Sequence, residues 1–177
     1  YDILPIGVYY SQKGTSRAVQ SNEWKGFASA DWNIFQPDSS DIKHVDCNGD
    51  GTINENDTLA VHLNFGLSNS PVSINTISKQ GLPELYLKMD SVYYSGQDVT
   101  AELWVGTSAL GVRNLYGIAF DLKYDTTYIQ PNTEKFSYEN SWLSLSGNNM
   151  LTFSKNVSGM LYGAETRVDH APVTGYG

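Results

Sequence analysis

The sequence contains few basic residues, a single cysteine and no long hydrophobic run. Only 11 Lys and Arg stand against 19 Asp and Glu, giving a net charge of -8. This composition disfavours nucleic-acid binding, because phosphate contacts require cationic side chains. Cys47 has no second cysteine with which to form a disulfide within the chain. No segment approaches the length of a membrane span, so we expect no membrane insertion.

The motifs of common enzyme classes are also absent from the sequence. It contains no H-E-x-x-H, no G-x-S-x-G and no phosphate-binding glycine loop. The histidines His44, His62 and His170 are scattered along the chain. A pair of glycosidase carboxylates cannot be identified from sequence alone, but here the acidic residues cluster in one loop. We therefore expect a non-catalytic protein.

The most specific signal is the stretch DCNGDGTINEND, residues 46–57. Calcium takes six to eight oxygen ligands, and a twelve-residue loop supplies them from positions 1, 3, 5, 7, 9 and 12 around a glycine at position 6. Placing Gly51 at position 6 puts an oxygen donor at every ligand position. The predicted calcium ligands are Asp46, Asn48, Asp50, Thr52 through its backbone carbonyl, Asn54 and Asp57. The alternative is an Asn/Asp/Gly-rich turn without an ion.

The residues after the loop predict a short helix. Asn54 is a favourable N-cap, and Asp57 adds an acid near the positive end of the helix. The run TLAVHLNFG then reaches Gly66, which is typical of a helix C-terminus. Leu59 and Leu63 share one helix face, so we expect that face to be covered. Cys47, at position 2 of the loop, is expected to be a packing residue, with an intermolecular disulfide as the alternative.

Residues 38–66, which contain DCNGDGTINENDTLAVHLNFG, resemble one repeat of a dockerin. Dockerins are the calcium-binding docking modules of cellulosomes and related bacterial surface proteins. The resemblance implies calcium as cofactor and a location outside the cell or at its surface. Dockerins carry two such repeats packed together, and this sequence shows one. We therefore expect the aromatic N-terminal segment, residues 1–37, to cover the helix face of Leu59 and Leu63.

The N-terminal segment itself is expected to be extended at ILPIGVYY, with Pro5 confining the strand to an edge or a bend. Trp24, Phe27, Trp32 and Phe35 follow at spacings of three to five residues. Such aromatics usually face a core from a short helix and loops. The alternative is a ligand-binding platform.

Beyond a Ser-, Asn-, Pro- and Gly-rich linker, residues 67–84, the sequence predicts β-structure. Strand patterns occur at residues 85–89, 99–105, 115–124, 150–154 and 160–168. In LYGIAFDLKYD the larger side chains alternate, which predicts that one face turns toward a core; they are Tyr116, Ile118, Phe120, Leu122 and Tyr124. Because no long helical pattern interrupts the strands, we expect a mainly β fold with an antiparallel sandwich.

The segments SGQDVTAELWVGTS and VRNLYGIAFDLKYD resemble a cohesin-like bacterial β-sandwich of immunoglobulin-like architecture. The resemblance implies that residues 85–177 form an incomplete sandwich, because the chain ends after VTGYG. We expect either a longer polypeptide or a strand supplied from elsewhere. ILPIGVYY of a neighbouring copy would be such a strand, and head-to-tail repetition would build a filament. The alternative is that ILPIGVYY belongs to its own chain's core.

Four positions match short glycan acceptor patterns. Asn156 lies in the N-glycan pattern Asn-Val-Ser. Thr58, Ser91 and Thr126 each follow an Asp, in tripeptides that resemble an O-glycan acceptor of some surface-coated bacteria. Patterns this short also occur by chance.

Taken together, the sequence predicts a calcium-stabilised, non-catalytic structural module of a bacterial surface or fibre protein. Its expected partners are other copies of the same chain or another surface protein. The alternatives are a cohesin- or dockerin-type protein-docking module and an accessory domain of a secreted carbohydrate-active enzyme.

Overall fold

The computed structural model of the protein describes residues 2–67, 81–144 and 149–177. This part of the chain is mainly β, with antiparallel sheets and few helices, as predicted. The helices are α1 (Ile3–Val8) and α2 (Thr58–Leu63), with 3-10 turns at Ile42–His44, Glu55–Asp57 and Trp142–Ser144. The strands are β1 (Leu85–Met89), β2 (Ala101–Val105), β3 (Val112–Leu115), β4 (Gly117–Lys123), β5 (Met150–Val157), β6 (Met160–Arg167) and β7 (Val173–Gly175). No helix in the described residues combines the length and hydrophobicity that crossing a membrane demands.

The strands form three small antiparallel sheets. β1 pairs with β2, β3 pairs with β7, and β6 lies between β4 and β5 in the third sheet. The single strand predicted at residues 115–124 is divided at Tyr116, because β3 pairs with β7 whereas β4 pairs with β6. In the three-stranded sheet, Ala164 of β6 lies opposite both Ala119 of β4 and Phe153 of β5.

The hydrophobic core joins the N-terminal part of the chain to this three-stranded sheet. Its buried members are Ile3, Ile6, Ile42, Val45, Ile53, Phe153 and Ala164. Gly7 allows α1 to lie directly on β6, because a methyl group at that position would be only 2.2 Å from Thr166 Oγ1. The predicted N-terminal segment, calcium loop and β-domain therefore share one core. Most of the predicted linker, residues 68–80, lies outside the described residues.

The strand predicted at ILPIGVYY is wrong, because Ile3–Val8 is an α-helix. Pro5 is compatible with the first helical turn, where its missing N–H removes no helical hydrogen bond. Ile3 and Ile6 are three residues apart, so one helix face carries both into the core. The segment thus belongs to its own chain's core, and the basis for its insertion into a neighbouring copy is lost.

The buried face of α2 also differs from the prediction. Leu59 and Leu63 are 48% and 65% exposed, whereas Val61 and Phe65 pack against the core. The Phe65 ring lies 5.6 Å from that of Phe153, centroid to centroid. The N-terminal segment does pack beside the loop and helix, as expected, since α1 contacts α2. It supports the Val61 side of the helix rather than the Leu59 side.

The principal core lies on the opposite face of β4 from the one predicted. Ala119 packs against the core cluster, while Phe120 contacts Phe136 edge-on at 5.6 Å between centroids. Ala119 of β4 lies opposite Ala164 of β6, and these two small residues allow α1 to rest on this face of the sheet. Ile118 and Leu122 are half-buried beside Phe120 on the other face.

The aromatic residues between positions 24 and 35 lie in irregular backbone rather than on a short helix. Trp32 packs against the core, and its indole Nε1–H donates to the carbonyl of Thr15 at 3.1 Å. Trp24 and Phe35 are exposed. The core-facing prediction is therefore confirmed for Trp32 and wrong for these two.

Candidate metal centre

The polar side chains of the candidate calcium loop form hydrogen bonds with the backbone of the same loop. Asn48 Oδ1 accepts from the N–H of Asp50 at 2.8 Å, and Asp50 Oδ1 accepts from the N–H of Thr52 at 2.8 Å. Asn54 Oδ1 accepts in the same way from the N–H of Asn56 at 2.8 Å. These turns arise because Asn and Asp side chains readily bond the backbone two residues on. They give residues 48–56 a tight local fold.

Asp46 fixes the first half of the loop. Its two carboxylate oxygens accept from the N–H groups of Gly49 at 2.8 Å and Gly51 at 3.0 Å. Both glycines have positive φ, 80° and 89°, in the region where glycine carries no steric penalty. The predicted sharp turn at Gly51 is therefore present.

Asp57 closes the loop onto its own start. One carboxylate oxygen accepts from the N–H of Asn48 at 3.1 Å and the other from the N–H of Asn54 at 2.9 Å. Asn54 and Asp57 also form a capping box at the start of the helical turn, so the predicted N-cap is confirmed. α2 follows immediately, and the positive φ of Gly66 marks the turn beyond it.

The two anchoring carboxylates are almost completely removed from solvent. Asp57 is 0% exposed and Asp46 is 3% exposed. The pKa of Asp57 is raised to about 6, mainly by burial and also by the nearby charge of Asp46, while the backbone N–H groups that it accepts from act in the opposite direction. Burial also raises the pKa of Asp46, with a contribution from the charge of Asp50. Both effects mean that negative charge in this loop is held at a cost.

The ion pairs of the described ranges, 2–67, 81–144 and 149–177, involve other carboxylates. The guanidinium of Arg17 donates to the carbonyl of Cys47 at 2.8 Å, and its charge partly offsets the rise in the pKa of Asp46. Asp46 and Asp57 therefore lie buried without an ion-pair partner in this part of the chain. Each of their four oxygens accepts a backbone N–H, and these hydrogen bonds offset part of the cost of burying the charge.

A supporting segment that sequence reasoning missed holds the loop from outside. The N–H groups of Gly14 and Arg17 donate to the carbonyls of Gly51 and Gly49, at 3.0 Å and 2.9 Å. Ile53, fully buried, exchanges two backbone hydrogen bonds with residues 11 and 12. Residues 11–17 contain no recognisable sequence motif, so only their backbone hydrogen bonds identify them as a support of the loop.

The donor chemistry fits a hard cation such as calcium. All six predicted ligands offer oxygen, which calcium prefers. Within the described residues there is no group of three or more His, Cys, Asp or Glu side chains placed to hold a metal. The three predicted carboxylate ligands, Asp46, Asp50 and Asp57, are therefore not brought together as such a group. The other three predicted ligands, Asn48, Thr52 and Asn54, are amide or backbone carbonyl donors. The structure brings Asn48 Nδ2 and Asp50 Oδ2 to 3.1 Å, while Asp46 and Asp57 bind backbone N–H groups.

Cys47 and His62 take structural positions next to the loop and helix. Burial raises the pKa of the Cys47 thiol to about 12, and the charge of Asp57 adds to this effect. The thiol is therefore protonated at neutral pH. The His62 ring is exposed and lies 4.5 Å from the Phe153 ring, so it covers the edge of the core.

The four glycan acceptor positions differ in accessibility. Ser91 and Thr126 are exposed. Thr58 is half-buried at the start of α2, where its hydroxyl donates to the carbonyl of Glu55 at 2.7 Å. Asn156 lies in β5 with its Nδ2 donating to the carbonyl of Glu134 at 2.9 Å. A glycan on Asn156 would disrupt that hydrogen bond.

A second polar cluster, also missed from sequence, lies on the far face of β6. Glu165 is buried, and its Oε1 accepts from the hydroxyl of Ser141 at 2.6 Å. Arg167 is buried as well and donates to the carbonyl of Leu143 and to Asp169. Burial raises the pKa of Glu165. The pattern was missed because an alternating strand sequence does not show that both faces are covered.

A scan against protein-family models finds no match to this chain, and searches of the curated proteins and of the solved structures find none either.

Proposed function

We propose that the protein is a calcium-stabilised, non-catalytic structural module of an extracellular or cell-surface bacterial protein. The observation that carries the proposal is the burial of Asp46 and Asp57, 3% and 0% exposed, in a loop of oxygen donors. The ion would be held by Asp46, Asn48, Asp50, the Thr52 carbonyl, Asn54 and Asp57.

The mechanism is thermodynamic linkage between the loop and the rest of the core. Ile53 lies inside the loop and is also a core member, packed in the same cluster as Ile6 and Phe153. An ion that binds only the ordered loop therefore stabilises α1 and the sheet as well. At a concentration a hundred times its Kd, such a ligand adds about 3 kcal/mol.

The finer architecture proposed for residues 85–177 is a cohesin-like sandwich. The backbone groups of Val105 and Gly177 exchange two hydrogen bonds, of 2.7 Å and 3.2 Å. This contact connects β2 to the end of β7 and supports a second layer in the order β1-β2-β7-β3. The three-stranded sheet of β4, β6 and β5 would be the first layer.

The test is thermal unfolding in calcium and in chelator, with one loop variant and one control. Asp50→Asn removes a loop charge while keeping the oxygen that accepts from Thr52. Asp121→Asn removes the same charge from an exposed strand position outside the loop. We expect calcium to raise Tm in the wild type and in Asp121→Asn, and to raise it less in Asp50→Asn. An unchanged wild-type Tm would contradict the proposal.

A second candidate function, protein docking, is favoured by the exposure of Leu59 and Leu63 on α2. The two side chains are four residues apart, so they form a continuous apolar strip on the helix. The partner would be a cohesin-like β-sandwich of another surface protein. Replacing both leucines by serine should abolish capture of that partner and leave Tm unchanged. Sedimentation of the purified protein separates this role from assembly with other copies of the chain.

A further inference from the structure

The calcium loop contains the chain's single Asn-Gly step, Asn48–Gly49. Such steps deamidate readily, because glycine has no side chain that would hinder the attack of its backbone nitrogen on the preceding Asn side chain. The nitrogen attacks the side-chain carbonyl carbon, and the amide is lost. Because Asn48 is also a proposed ligand, the rate of its deamidation should depend on whether the loop is closed or open.

In the folded loop both reacting groups are engaged elsewhere. The Gly49 N–H donates to Asp46 Oδ1 at 2.8 Å. The Asn48 side chain is turned toward Asp50, whose N–H donates to Asn48 Oδ1 at 2.8 Å and whose Oδ2 accepts from Asn48 Nδ2 at 3.1 Å. Gly49 is also buried beneath Arg17. Attack therefore requires the loop to open.

We propose that Asn48 is a calcium-gated deamidation site, protected while the ion holds the loop and modified when the ion is lost. This inference rests on the proposed calcium-binding function. Without an ion, the buried carboxylates of Asp46 and Asp57 are held by backbone N–H groups, and their like charges repel at a cost in stability. Opening the loop relieves that cost and frees the Gly49 nitrogen and the Asn48 amide together.

The reaction needs only water as co-reactant. The Gly49 nitrogen, after losing its proton to solvent base, forms a bond to Asn48 Cγ. The Cγ–Nδ2 bond then breaks, and ammonia leaves with a proton taken from water. Water hydrolyses the resulting five-membered imide at either carbonyl. One product is aspartate, and the other is isoaspartate, whose main chain is one carbon longer.

Isoaspartate at position 48 would prevent the loop from forming again. The inserted carbon displaces the backbone that leads to Asp50 and removes the short Asn48 side chain from its turn. Calcium loss would thus become irreversible with time. Isoaspartate at position 48 would then identify a module that has lost its calcium.

The experiment incubates the full chain in mildly alkaline buffer with calcium or with chelator and follows each Asn by peptide mass spectrometry. Asn140, exposed and followed by Ser141, serves as the internal reference. We expect deamidation at Asn48 to be at least about tenfold faster in chelator, as for a site reached by local opening. Asn140 should react equally in both buffers. Equal rates at Asn48 would overturn the inference.

A second measurement on the same wild-type samples separates the chemistry from simple unfolding. After long incubation in chelator, calcium is added back and its rebinding is measured by titration calorimetry. The fraction of protein that has lost calcium rebinding should match the fraction that carries isoaspartate at position 48. Loss of rebinding in protein whose Asn48 is unmodified would contradict the inference. The same calorimetry on fresh protein tests calcium binding itself, so failure of the proposed function is recognised separately.

Discussion

Single residues of the loop determine how the protein should respond to pH. Asp57 is buried, and burial raises its pKa to about 6. Protonation near that pH removes a charge whose burial costs stability. The same carboxylate organises the loop through two backbone N–H groups. We therefore expect protons to compete with calcium at the proposed site, because either would neutralise the buried charge of Asp57.

In calcium-free protein, raising the pH should lower the contribution of Asp57 to stability. Its folded pKa of about 6 exceeds its ordinary value of 3.8, so the folded state binds more protons between these values. The stabilisation is complete below 3.8 and is lost as pH rises through about 6. With calcium bound the trend should reverse, because the ion prefers the ionised group. Unfolding across this pH window measures both effects.

Asp57→Asn is the control for this pH dependence. The variant cannot titrate at position 57, so the difference between its curve and that of the wild type isolates the carboxylate. If the two calcium-free curves run parallel through the window, Asp57 does not carry the effect.

At the scale of elements, the contact between α1 and β6 depends on the absence of a side chain at Gly7. Alanine favours helices more than glycine does, but at this position its methyl group would clash with Thr166. We expect Gly7→Ala to destabilise the protein by about 1–3 kcal/mol, the usual cost of overpacking. Gly26→Ala, where nothing lies within 4 Å, should change stability by less than about 0.5 kcal/mol. Urea unfolding of the two variants gives the comparison, and equal stabilities would exclude a tight contact.

The two faces of α2 should likewise differ in their contribution to stability. Phe65 contacts the rings of Phe153 and Tyr162, so we expect Phe65→Ala to cost about 3 kcal/mol. Leu63 is 65% exposed, and Leu63→Ala should cost less than about 0.5 kcal/mol. The free energies of urea unfolding test this ranking. A larger effect at Leu63 would mean that its face is covered.

At the scale of the whole molecule, the loop and the three-stranded sheet share one core. Ile53 of the loop and Ala164 of β6 belong to the same buried cluster. We therefore expect calorimetry to show one unfolding transition for these parts, shifted as a unit by calcium. Hydrogen exchange should show that chelation also lowers the protection of the β6 amides, because the sheet opens together with the loop.

Two transitions, of which calcium shifts only one, would mean that the loop and the sheet unfold independently. Slow exchange in β6 that is unchanged by chelator would agree with that result.

The local features could be predicted from the sequence, namely the loop with its glycine turn, the N-cap at Asn54 and most of the strands. These follow from interactions between residues close in the chain, such as those of Asn54 with Asp57. The calcium ligands remain a prediction, to be tested by direct binding.

Which faces are buried could not be predicted without the packing of distant elements. ILPIGVYY is compatible with an extended segment and also carries a helical pair of isoleucines, and the sheet beneath it selects the helix. Leu59 and Leu63 match a buried face as well as Val61 and Phe65 do, until Phe153 is placed beside Phe65. The physical reason is that burial depends on the partner surface, which comes from residues far away in the chain.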